Sequence, residues 1–168
     1  YKRQNKTLVG CGACDSGQLA GMSNSKYCRT VVNALKNLRG RQLKDVPAEN
    51  LLITCAKDGW YEKANVDVAG PFASGSKLFQ GANWVAKVTR GTNDYAHCSH
   101  LIYLYNQQMN PYVARWLEDN SRAFDDAYAL TELIQWVWRS RVRKGQPITL
   151  YLPSPRMQQL MEEWLSSS

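Results

Sequence analysis

Gln135, Arg139 and Arg143 stand four residues apart in the stretch 127–144, AYALTELIQWVWRSRVRK. Read as one helix, that spacing stacks an amide and two guanidinium groups on a common face. Leu130, Leu133, Ile134 and Val137 recur at helical spacing on another face, an apolar stripe to bury. Such a helix is suited to grip an anion. Phosphate is the natural one, because the arginine fork matches its oxygens bidentately. A solvated basic face near a helix C-terminus has the same composition, since the helix dipole favours cations there.

A second group is Thr89-Arg90-Gly91-Thr92-Asn93-Asp94. It lies between an expected strand at 84–88 and another at 101–105, so it is expected at the carboxyl edge of a sheet, where α/β proteins bind ligands. Gly91 lets the backbone approach a phosphate closely. Thr89, Thr92 and Asn93 offer hydroxyl and amide groups. A plain polar connection between strands would look alike.

Other constellations are weaker. The string GPFASGSK, residues 70–77, nearly spells a phosphate-binding loop, but Ser76 precedes Lys77 instead of following it. That order leaves no hydroxyl after the lysine to hold magnesium, and Pro71 removes an amide, so a Gly/Ser loop is the expectation. Cys11 and Cys14 form a C-x-x-C with only Cys28 nearby, and no second pair completes a zinc site. His97 and His100 flank Cys98 in a polar loop, and no metal is expected there. Trp136 and Trp138 flank the arginines, where exposed rings could stack on unpaired bases. Trp84, Trp116 and Trp164 are expected in the core.

The elements that must position these groups follow from periodicity. Ser25 is the N-cap of a helix through Leu38, which Gly40 stops. LLITC, residues 51–55, is a continuous apolar run, the mark of a strand buried on both faces. Further strands are expected at 7–10, 66–69, 84–88, 101–105 and 148–152. A short helix spans 110–117 with Pro111 in its first turn, and Ser154 with Pro155 opens a last helix over 155–165. Met157, Leu160, Met161 and Trp164 face inward on that helix. Buried strands alternating with helices imply an α/β fold, a mainly parallel sheet flanked by helices in a three-layer sandwich.

Length and charge bound the reading. The 168 residues fit one domain, with residues 1–25 an irregular lead-in, and the first residue, Tyr1, suggests a piece of a longer protein. Hydrophobic residues make up 44% and charged residues 21%, as in a soluble globular domain. No apolar run reaches the roughly 18 residues a membrane span needs. The net charge of +7 favours a polyanionic partner. Five unevenly spaced cysteines argue for a reducing, cytoplasmic compartment.

The two basic stretches, taken in order, resemble a known family. VTRGTNDYAHCSHLIYL resembles motif V of superfamily 2 helicases and the strand after it, through Arg90, Gly91 and Asn93, then Ser99, His100, Leu101 and Ile102. QWVWRSRVR resembles motif VI, whose pattern opens with Gln or His and carries Arg four residues on, here Gln135 and Arg139. Arg141 stands where the family has a glycine, the last arginine is 143 instead of one residue earlier, and Thr92 replaces an apolar residue. The family's second arginine role is therefore open between Arg141 and Arg143.

The resemblance covers about the last half of the chain. It implies the C-terminal RecA-like domain of an ATP-dependent helicase of phage or plasmid replication type. In that family Arg139, Arg143 and Gln135 would be catalytic, Gly91, Asn93 and Arg141 would contact the nucleotide, and Thr89, Arg90 and Thr92 the nucleic-acid backbone. ATP and Mg would be bound by the full-length protein, not by this domain alone. The implied partners are nucleic acid, DNA more than RNA, and a preceding RecA-like domain, with no membrane. The alternative is a non-catalytic basic α/β module that binds nucleic acid or protein.

Overall fold

The LLIT run forms strand β1 (Leu51–Thr54), every residue of it buried, at the heart of a four-stranded sheet. Its neighbours are β4 (Asn83–Trp84) on one side and β5 (His100–Tyr103) on the other, with β6 (Thr149–Tyr151) beyond β5. All three pairings are parallel, with Leu52 opposite Leu101 and Leu101 opposite Leu150. This is the parallel α/β sheet flanked by helices that the alternation of strands and helices predicts. The computed structural model describes residues 26–167 apart from 63–64, 75–78, 88, 90–91 and 119–120. The expectations for the lead-in, Cys11, Cys14, Ser76, Lys77, Arg90 and Gly91 lie outside the described residues.

Because successive side chains of a strand point to opposite faces, the sheet carries two cores. Leu51, Ile53, Ile102 and Tyr151 pack with Leu35 and Leu38 of α1 (Lys26–Arg41). Leu52, Leu101 and Leu150 pack with Leu133 of α5 (Arg122–Val137) and Met157 and Met161 of α6 (Pro155–Ser167). The strands are apolar on both faces because both faces are covered.

Several boundaries differ from the periodicity. α1 runs through Gly40 to Arg41, and a Cβ at Gly40 would meet nothing within 4 Å. Its end is set by Arg39, whose guanidinium donates to the carbonyls of Leu43 and, at 2.7 Å, Val46. The strand expected at 66–69 is β3 (Asn65–Ala69), but it pairs antiparallel with β2 (Tyr61–Glu62) in a separate ribbon, not in the main sheet. The near-phosphate-loop string contains a one-turn helix, α3 (Pro71–Ser74), where a plain loop is expected. Gly70 before it has its nitrogen 2.6 Å from the carbonyl of Trp60, the last residue of α2 (Lys57–Trp60). A Cβ there would stand 2.8 Å from the Gly59 oxygen, so this glycine serves close chain packing.

The strand expected at 84–88 is only two residues long. Val85 still donates to Ile53, and the chain then turns away. The helix α4 (Pro111–Trp116) has Asn110 as N-cap, accepting from the Tyr112 amide at 2.9 Å. Trp116, expected in the core, is 81% exposed. Ser154 caps α6 as expected, accepting from the Met157 amide at 3.3 Å.

Candidate functional site

The stretch 127–144 is not one helix. α5 ends at Val137, and the amides of Arg139 and Ser140 bond three residues back, to Trp136 and Val137. Ser140 then adopts extended backbone (ψ −174°), its hydroxyl donating to the Val137 carbonyl at 2.7 Å and accepting from Val142 at 3.4 Å. The hydroxyl so closes one helix and opens a 3₁₀ turn, Arg141–Lys144, which Gly145 ends with φ +69°. The expected stack of residues 135, 139 and 143 on one helical face is therefore broken between the two arginines.

They converge nevertheless. Thr92, Asn93, Gln135, Trp138, Arg139 and Arg143 line one open cleft of about 480 Å³, with Ile134 on its apolar side. Arg143 donates to the Asn93 side-chain oxygen, which ties the 3₁₀ turn to the loop before β5. Arg139 is 7% exposed and forms the inner part of the cleft, while Gln135 and Arg143 are exposed. The Thr92 hydroxyl donates to the Asp94 carboxylate at 2.6 Å, so one acidic group stands at the rim. Trp138 is half-exposed between this cleft and a second, apolar groove.

The cleft does not lie at the carboxyl edge as expected. α5 runs back from the end of β5, so its last turn stands near the strands' amino ends. There Ser99 donates to Asn50, Thr149 to Ser99, and Arg141 to Cys98. The connection 85–99 makes no crossover helix among its described residues, but returns to that edge through a turn at 94–97.

Two expected contributors stand elsewhere. Arg141 is not among the lining residues; its Nε donates to the Pro147 carbonyl at 2.6 Å, and its charge acts on His100. Thr89 precedes the cleft and its amide bonds to Ala86.

The sequence compared with known proteins gives a family. The family model of the YonV C-terminal Rossmann-like domain matches residues 4–165. The chain belongs to this family. One YonV relative, the SPbeta prophage-derived uncharacterized protein YonV of Bacillus subtilis (strain 168), is 39% identical over 79 residues. That stretch is 46% of this chain and 19% of the relative, so the match spans about a fifth of the relative's length. No solved structure matches the chain.

In this YonV-family domain the crevice where open α/β sheets bind ligands is occupied by its own side chains. The chain leaves β1 toward β4 and leaves β5 toward β6, so the carboxyl ends of β1 and β5 mark the topological switch point. Thr54, Tyr103, Tyr105 and Gln107 are all buried there. Tyr103 stands edge-on to Trp136 at 5.3 Å and to Tyr105 at 5.9 Å. Burial, then Glu132 and Tyr128, push the Tyr103 hydroxyl up, and Arg139 opposes them.

Lys87 donates to Gln107 at 2.8 Å and lies 4.8 Å over the Tyr105 ring. Burial holds its ammonium below the ordinary lysine value, and Glu132 works the other way. Arg156 joins Asp125 and Asp126, each at 2.6 Å, and the Gln107 carbonyl, which clamps the starts of α5 and α6 together. Sequence reading missed this network, because the partners stand between 20 and 49 residues apart with no motif between them.

The remaining titratable groups near the amino edge are occupied. His97 Nε2 contacts the Glu49 carbonyl at 3.0 Å and His100 Nδ1 contacts the Ser99 hydroxyl at 2.9 Å. Burial pushes the Cys98 thiol up to about 11, with an Asn83 hydrogen bond pulling down, so it is a neutral thiol at pH 7. Among the described residues no group of three or more His, Cys, Asp or Glu could hold a metal, and no helix is long and apolar enough to cross a membrane.

Proposed function

We propose that this domain is the C-terminal motor half of an ATP-dependent nucleic-acid helicase. It would bring arginines and a backbone grip to a nucleotide held by a preceding RecA-like domain. The observation that carries the reading is the meeting of Thr92 and Asn93 with Gln135, Arg139 and Arg143 in one open cleft. Those are motif V-like and motif VI-like positions some forty residues apart in sequence, and they meet at a side of the sheet instead of in its own ligand crevice. A cleft so placed suits a nucleotide held by a neighbouring domain. Arg139 acts on phosphate charge as it spreads over the transferred group, the principal form of catalysis in phosphoryl transfer. The exposed Arg143, with Thr92, grips the nucleic-acid backbone.

The net charge of +7 and the loop hydroxyls suit a nucleic-acid backbone, DNA before RNA, read without sequence preference. The relative's prophage origin and the family's description as a C-terminal domain suit a phage protein in which another domain comes before this one. The same cleft supports a second reading, a basic module that binds nucleic acid without hydrolysis, because the nearest approach to a phosphate loop has its Gly70 engaged in chain packing.

In the full-length protein, Arg139→Ala is expected to lower nucleic-acid-stimulated ATP turnover about a thousandfold, the scale of an arginine finger. Arg139→Lys should restore little, because a point charge replaces a fork. Normal turnover in Arg139→Ala would remove Arg139 from that role, and no turnover in the unaltered full-length protein would favour the binding module.

A further inference from the structure

The cationic cleft does not end at Trp138. The same indole, with Ile134, walls a second cavity of about 270 Å³ that is almost wholly apolar. Val142, Ile148, Trp164 and Leu165 form the rest of its mouth, between the 3₁₀ turn, β6 and the end of α6. Trp138 is 49% exposed and Leu165 41%, whereas Trp136, in the last turn of α5, is fully buried. An indole shared by a guanidinium-lined cleft and an apolar groove presents one surface to an anion and another to a ring.

We infer that cleft and groove together form one bipartite site for an unpaired nucleotide of a single strand. The phosphate lies on Arg143 and Thr92, and the base enters the groove against Trp138. This rests on the reading of the cleft as a backbone grip, and adds what that reading lacks, a device that distinguishes single strand from duplex. In a duplex the phosphates are presented but the bases are stacked and paired, so the groove stays unfilled. Stacking on an aromatic side chain is available to any base, so the site is tolerant of sequence. The net positive charge supplies the salt-dependent part of the affinity and Trp138 the salt-independent part.

The experiment measures binding of the full-length protein to an oligothymidylate and to an abasic oligomer of equal length, by fluorescence anisotropy at two salt concentrations. Trp138→Ala is expected to weaken the oligothymidylate about tenfold and leave the abasic strand unchanged. Trp138→Phe, which keeps a ring and guards against loss of folding, should retain most of the affinity. Arg143→Ala should weaken both strands and reduce the salt slope by about one.

Equal weakening of both strands by Trp138→Ala while Trp138→Phe binds normally, or no weakening of either, overturns the bipartite site. So does a Trp138→Ala effect confined to free ATP. If Arg143→Ala alters neither strand while Trp138→Ala still discriminates between them, the backbone grip fails and base capture stands.

Discussion

The two ends of the sheet hold similar kinds of residue in opposite states. At the carboxyl ends of β1 and β5, Tyr103, Tyr105 and Gln107 are buried and Lys87 is tied to Gln107. At the amino ends, Gln135 and Arg143 are exposed on an open cleft, with a half-exposed tryptophan at its wall. The fold alone would direct attention to the first region, since that is where sheets of this class bind ligands. Here that crevice is filled by buried aromatic rings, with the Thr54 and Tyr103 hydroxyls and the Trp136 indole N–H buried without a hydrogen-bond partner among the described residues. An accessible guanidinium, Arg143, stands at the other end, with Arg139 buried behind it. Side-chain chemistry, not strand topology, picks out the candidate site.

Substitutions should separate the two regions by what they damage. The largest effect on folding is expected at Trp136, fully buried against Tyr103. Trp136→Ala should cost about 4 kcal/mol in chemical denaturation, the scale of a lost core aromatic. A loss below ~1 kcal/mol would mean that the packing of Tyr103 on Trp136 is not structural.

A smaller effect is expected from His100, whose proton affinity burial, and then the Arg141 charge, hold below the ordinary value of 6.5. As pH falls from 6.5 through the lowered native value, the unfolded chain takes up its proton first, so stability present above that window is lost within it. His100→Asn should flatten that part of the pH–stability curve, and Arg141→Gln should raise the His100 value in an NMR titration. An unmoved His100 resonance would place Arg141 elsewhere. The smallest effect on folding is expected in the cleft: Arg143→Ala should change the unfolding free energy by no more than about 0.5 kcal/mol, as for exposed surface positions. A larger loss would make the cleft a structural feature like the opposite crevice.

Much of the fold was legible because its signals are local. LLIT reads as a doubly buried strand, and Ser154-Pro155 reads as a helix start. The grouping of Asn93 with Gln135, Arg139 and Arg143 was legible too, through motif order. What escaped depends on long-range geometry. Ser140 breaks α5 by bonding back to Val137 and forward to Val142, a choice that periodicity does not reveal. The loop after β4 turns back to the amino edge, which moved the site to the end opposite the expected one. Trp116 lies exposed on a short helix that buries only Ala114, so the general preference of tryptophan for cores did not apply.

The contact between Arg143 and Asn93 has a consequence for readiness. A carboxamide oxygen keeps the guanidinium extended with a neutral acceptor, where a carboxylate would neutralise it. On the function proposed above, an incoming phosphate oxygen would trade places with a weaker acceptor and have no carboxylate to displace from Arg143. Asn93 would then be a placeholder, keeping the cation aimed yet easily released.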